Sequence, residues 1–200
     1  MKRFTKSTQQ KMSMEYKKNV PAKINNAFVN RRVDAAFISS ITAKKSLHVD
    51  LGIISKKKVK SVIVIPSKSY KKDKESASSN ILAQLLHVKG TILIGDKALR
   101  YALKHDDYID LAELWYDKHN LPFVFALLCY HKDKNLYKKI QREFLKKKVK
   151  IPGYLLQKAA KRTGISESEI LEYLTLISYK LDTKAKKGLK KFYTQERELL

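Results

Sequence analysis

The chain has one cysteine, Cys129, in its 200 residues. A single thiol excludes an internal disulfide framework and suits a reducing compartment. Cys129 stands in an apolar stretch and reads as a small buried hydrophobe. Long hydrophobic runs are also missing. No segment approaches the ~20 apolar residues that cross a bilayer. The opening MKRFTKSTQQ is basic but lacks the apolar stretch of a signal peptide. The five histidines, His48, His87, His105, His119 and His131, form no HExxH and no paired Cys/His spacing, so no metal site is expected. Walker A, GxGxxG and GxSxG motifs are absent, as are internal repeats and low-complexity tracts.

Acidic residues are scarce beside basic ones, 19 against 43, which leaves a net charge of +24. Such an excess is the footprint of nucleic-acid binding. Arginine is scarce too: only 7 of the 43 cations, against 36 lysines. Direct base readout leans on bidentate arginine. The lysines are spread along the whole chain, as solvated faces are. A field of this sign also draws in small polyanionic substrates. The segment 157–170, QKAAKRTGISESEI, matches a helix-turn-helix signature at Ala160, Gly164 and Ile170. Its second helix, however, carries Glu167, Glu169 and Glu172, which repel phosphate, and its first turn lacks the usual base readers.

What is present is an ordinary apolar fraction, enough for a core in one domain or two small lobes. The pattern alternates strands and helices. A helix starts at Pro21 and buries Ile24, Ala27 and Phe28. Strands are expected at Met12–Tyr16, Val33–Ser39, Leu47–Ile54, Ser61–Ile65, Thr91–Ile94 and Pro122–Tyr130. The helix Ser76–Leu86 presents Ile81, Leu82, Leu85 and Leu86 on one face. Two short helices follow Thr91–Ile94. One starts at Gly95-Asp96; the other is capped by Asp110 with Glu113 three residues on, and buries Leu111, Leu114 and Trp115. A C-terminal helical block follows. Its first helix carries a stripe of Leu136, Tyr137, Ile140, Phe144 and Leu145, with Lys146-Lys147-Lys148 at its end. The next runs from Pro152 to Gly164. A capping box, Ser166 with Glu169, opens a helix expected to bury Ile170, Leu171, Leu174 and Ile177, and Thr183–Phe192 is the last helix. A helix over 1–10 lacks a clear apolar stripe.

Three places invite a ligand. Ser39 and Ser40 end a strand, where hydroxyls either hold a carboxylate or simply make a polar terminus. Ser76, Ser78, Ser79 and Asn80 lie in the first turn of a helix, as caps or as an anion cradle. Asp96 follows Gly95 at a strand end, as a cap or as a ligand contact. Lys56-Lys57-Lys58 reads as a solvated turn.

Three segments in order, Leu93-Ile94-Gly95-Asp96-x-Ala98-Leu99, Asp110-Leu111-x-x-Leu114-Trp115 and Leu121-Pro122-Phe123-Val124-Phe125-Ala126, resemble the chorismate dehydratase family of the futalosine route to menaquinone. A sister family that makes dihydroxynaphthoate resembles Ile-His-Glu where this chain has Ile94-Gly95-Asp96, which favours the dehydratase. The resemblance implies an α/β, two-lobed fold of the periplasmic-binding-protein type (type II) with a C-terminal helical block. Lobe one would be 1–60 and 127–200, lobe two 61–126, with the ligand cleft between them. It implies a cytoplasmic hydro-lyase without cofactor or metal, whose partner is chorismate rather than nucleic acid or membrane. The substrate-binding residues it implies are Ser39, Ser61, Ser78, Ser79 and Asp96; it names no catalytic base. The alternatives are a non-catalytic carboxylate-binding protein of the same fold and a basic helix-turn-helix protein. The family's first-strand motif, Gly-…-Leu-Asn-x-Leu-Pro, has no match here. In a parallel sheet that strand lies inside, so the expectation is that Met1 is internal to a longer natural chain and that this form is inactive or poorly folded.

Overall fold

The computed structural model describes residue 15 and residues 19–146 and 151–199. The expected helix over 1–10, most of the strand Met12–Tyr16, and Lys147-Lys148 lie outside the described residues. In chain order the elements are α1 Pro21–Val29, β1 Ala35–Ser39, α2 Ser40–Ala43, β2 His48–Ser55 and β3 Val62–Pro66. Then come α3 Ala77–Leu85, β4 Gly90–Ile94, α4 Gly95–Ala102, β5 Ile109–Asp110, α5 Leu111–His119 and β6 Val124–Tyr130. The C-terminal part holds α6 Lys134–Lys146, α7 Gly153–Thr163, α8 Glu167–Thr175, β7 Ile177–Lys180 and α9 Thr183–Glu198.

The strands form two sheets. Sheet one has the order β1-β6-β2-β7, sheet two β4-β3-β5. Every pairing between these strands is antiparallel. This corrects the expectation of a parallel sheet. β1 and β2 do run in the same direction, but β6 returns between them and pairs with both. Their carboxyl ends therefore lie at one edge of sheet one, where Ser39 pairs with Ala126 and Ala126 with Ile53.

Local chemistry sets the boundaries. Pro21 opens α1, its missing N–H costing nothing there. Asp110 caps α5 through the N–H groups of Ala112 and Glu113. Gly164, at φ +68°, closes α7 in the left-handed region. Ser166 and Glu169 form the reciprocal capping box of α8. The Ser166 hydroxyl and amide hold the Glu169 carboxyl below its usual range.

Two differences from the sequence reading concern α8. Ile177 belongs to β7, not to the helix. α8 itself buries none of its residues fully, and Leu171 is 45% exposed. The spacing of Ile170, Leu174 and Ile177 continues a helical period past the true end at Thr175. Pairing of β7 with β2 overrides that local period.

The core is shared. α6 covers one face of sheet one through Tyr137 and Ile140, while Phe28 of α1 and Leu189 of α9 pack on the other side. The largest cluster joins Val62, Val64 and Ile92 of sheet two to Ile177 of β7 and Phe192 of α9. At its centre Trp115 is fully buried, with Phe123 and Phe192 meeting its ring edge to face at 5.4 and 6.3 Å. Such pairs add about 0.5–1.5 kcal/mol each beyond burial. Cys129 is fully buried in β6, and burial pushes its thiol up to about 12.

Candidate active site

The hydroxyl residues picked from the sequence fall into two groups. The first lies where β1 ends and α2 begins. Asn25 of α1 grips Ser39 twice: its side-chain amide donates to Ser39 Oγ, and Ser39 N–H donates to Asn25 Oδ1, both at 3.0 Å. Ser39 Oγ also meets Thr42 Oγ1 at 2.8 Å. Ser78 reaches across from α3, placing its Oγ 3.0 Å from Ser40 Oγ and accepting the Ile41 N–H at 3.1 Å. Ser76 caps α3 by accepting the Ser79 N–H, and donates its own hydroxyl to Ser79 Oγ at 2.6 Å. Tyr193 of α9 donates to the Ser40 carbonyl at 2.8 Å. Ser39, Ser40, Ser78 and Ser79 are all buried. These hydroxyls form three separate sets of hydrogen bonds at the junction of α1, α2 and α3: Ser39 with Asn25 and Thr42, Ser78 with Ser40 and the Ile41 N–H, and Ser79 with Ser76.

Beside this junction runs a groove of about 360 Å³. Asn25 forms part of one wall. Asn80 and the loop before α3 form the other, with Lys72 and Lys74 interleaved by Asp73 and Glu75. Asn80 holds that loop by accepting the Asp73 N–H and donating to the Asp73 carbonyl. The volume is at the low end for a small-molecule site.

The second group contains Ser61 and Asp96. Ser61 precedes β3, and its carbonyl accepts the Gly95 N–H at 2.8 Å, where β4 turns into α4. Gly95 has φ +62°, which permits that turn. Ser61 is 7% exposed, and its Oγ lies 3.1 Å from the Tyr173 hydroxyl. Burial raises the Tyr173 phenol above its ordinary range, partly opposed by the Ser61 bond. Asp96 makes no cap: α4 has Ile94 at its N-cap and no side-chain capping bond. Instead, Asp96 pairs with Arg162 at 2.6 Å. This corrects the capping reading; the turn is made by Gly95, and the carboxylate is left to face α7. Among the described residues, no hydrogen bond joins the Ser61–Asp96 group to the Ser39–Ser78 group.

Several supporting residues escaped the sequence reading. Asn25 is not among the residues singled out from the sequence, although it stands three positions before buried Phe28 and so shares its inward face. Tyr173, Arg162 and Tyr193 join elements distant in sequence, and no local pattern marks them. Among the described residues, no group of three or more His, Cys, Asp or Glu side chains is arranged to hold a metal ion, and no helix is long and apolar enough to cross a membrane.

Residues 75–198 match the family model described as menaquinone biosynthesis. A curated chorismate dehydratase from Campylobacter jejuni subsp. jejuni, serotype O:23/36, strain 81-176, is 45% identical over 96% of this chain and 88% of its own length. A crystal structure of a protein from Archaeoglobus fulgidus superimposes with a TM-score of 0.67, covering 98% of this chain and 92% of that one at 12% identity. At that identity the likeness speaks for the fold alone.

Proposed function

This chain belongs to the chorismate dehydratase family of menaquinone biosynthesis, and from that premise we propose that it removes water from chorismate. The product is 3-[(1-carboxyvinyl)oxy]benzoate, in the futalosine route. The observation that carries the reading is identity of 45% sustained over 96% of the chain.

The chemistry asks little of the protein. The hydrogen on C3 is vinylogous to the ring carboxylate and therefore acidic. Its proton leaves, the C3–H electron pair becomes the C3=C4 bond, and the C4–O bond breaks. Proton and hydroxide depart as water, and the ring gains aromaticity. A hydro-lyase of this kind holds two carboxylates, excludes solvent and organises one proton transfer. The substrate's own side-chain carboxylate serves as the base in our reading, which needs no cofactor.

We take the fold as two-lobed and of the periplasmic-binding-protein type. Lobe one is 1–60 and 127–200, and lobe two is 61–126. The separate sheets support this division except at its 126/127 boundary, which falls within β6, a strand that pairs only inside sheet one. Substrate then occupies the cleft between lobes, with Ser39, Ser78 and Ser79 toward one carboxylate and Ser61 toward the other. Asn25 donates to Ser39 Oγ, so the Ser39 proton points away from Asn25 and is open to Thr42 Oγ1 or to a carboxylate as acceptor. Asp96 lies at the rim, its charge offset by Arg162. The enzyme works in the cytoplasm on a small molecule, not on nucleic acid.

The test is direct. Purified protein is mixed with chorismate alone, and the diene absorbance and aromatic proton resonances are followed. Stoichiometric appearance of the aromatic product without added cofactor is expected. Chorismate binding without turnover would instead identify a carboxylate-binding protein of the same fold.

A further inference from the structure

The α7–α8 hairpin is fastened to the segments that carry Ser61 and Asp96. Lys60 pairs with Glu172 at 3.0 Å, Ser61 Oγ meets the Tyr173 hydroxyl, and Asp96 pairs with Arg162. Arg100 of α4 adds a bond to the Thr163 carbonyl at 2.8 Å. α8 buries no residue of its own fully, so these polar contacts stand out at its interface. The Lys60 and Asp96 pairs involve exposed partners and contribute little energy. The contact between Ser61 and Tyr173 is the sheltered one: Ser61 is buried and Tyr173 half-buried.

A phenol is the better donor of the two hydroxyls. No second acceptor for the Tyr173 proton is found among the described residues. If the phenol donates to Ser61 Oγ, the Ser61 proton must point away from Tyr173, toward whatever lies beyond. A hydroxyl that accepts one hydrogen bond also donates a stronger one. A carboxylate accepts only, so it wants such a donor.

We propose that Tyr173 is a positioning residue for the dehydration, donating to Ser61 Oγ so that the Ser61 hydroxyl is presented to a substrate carboxylate. This rests on the reading of the chain as a chorismate dehydratase. It gives the hairpin an intramolecular role, in which α8 faces the site rather than a nucleic acid.

The experiment is a double-mutant cycle on kcat/KM for chorismate, using wild type, Ser61→Ala, Tyr173→Phe and the double variant. Tyr173→Phe is expected to lower kcat/KM by about three- to tenfold, the span of one neutral hydrogen bond. In the Ser61→Ala background the same change is expected to have no further effect, because the phenol acts only through Ser61. Effects that multiply, or a Tyr173→Phe enzyme of wild-type kcat/KM with a lowered melting temperature, overturn the proposal. Should Tyr173→Phe not fold, site-specific 3-fluorotyrosine at 173 keeps the shape and strengthens the donor. Retained or raised kcat/KM is then expected, and a fall overturns the proposal. A wild-type protein that never converts chorismate overturns the dehydratase reading itself, a result separate from any difference among the variants.

Discussion

Alanine at position 188 would set its methyl carbon inside van der Waals contact with the carbonyl oxygen of Pro122. Gly188 lies in the middle of α9, where alanine normally gains about 1 kcal/mol over glycine. Here the neighbour is backbone and cannot swing aside. Overpacking against a fixed group costs about 1–3 kcal/mol and at times more. The steric cost wins, so Gly188→Ala is expected to lower stability on balance, read as a lower urea midpoint with an unchanged m-value. A variant as stable as the parent would show that α9 can move away from Pro122. Asp96 after Gly95 looked like a cap, yet its partner Arg162 is 66 positions away. Local spacing announces caps because both partners are local. It is silent on a carboxylate that chooses a distant guanidinium.

Between elements, Asp110 carries more than its capping role. One carboxylate oxygen caps α5; the other accepts the N–H groups of Val59 at 2.9 Å and Lys60 at 2.6 Å. Lys60 has φ +57°, so this clamp holds an unusual turn immediately before Ser61 and β3. Asp110→Asn separates the two roles. Asparagine caps about as well as aspartate. Its amide nitrogen, however, would face two backbone donors that need an acceptor. Leaving such buried groups unpaired is expected to cost about 2–4 kcal/mol. A thermal melt checks this, and an unchanged melting temperature would mean that the cap was the whole contribution. The capping half was legible in the sequence, as were the capping box at Ser166, the stop at Gly164 and the strand ends at Ser39 and Ile94. Sheet direction was not, because the insertion of β6 between β1 and β2 is a non-local choice. β5 has two residues and no period to read. β7 was hidden because Ile177 extends the apolar spacing of α8. Of the candidate site, the hydroxyls were visible by composition at element ends, but Asn25, Tyr173 and Tyr193, which bond to Ser39, to Ser61 and to the Ser40 carbonyl, were not.

For the whole molecule, a charge of +24 on 200 residues sets a long-range field. A dicarboxylate substrate approaches down that field. Salt screens it, with a Debye length near 10 Å at about 0.1 M. We expect kcat/KM for chorismate to fall by about threefold or more between roughly 20 mM and 0.5 M salt, with kcat nearly constant. Steady-state kinetics along a salt series check this, and a flat profile would confine the charge to roles outside capture. The strand order bears on how the chain is made. Sheet two draws all its strands from residues 62–110, so it can close soon after the ribosome releases them. Sheet one cannot, because its inner strand β6 begins at Val124, while β1 ends at Ser39. At about 5–20 residues per second, roughly 4–17 s pass between synthesis of the one and of the other. Through that interval the strands carrying Ile38 and Leu51 have no β6 to pair with. In the cell, the strands synthesised first, β1 and β2, are therefore the ones that wait to fold, and it is there that a chaperone would find its work.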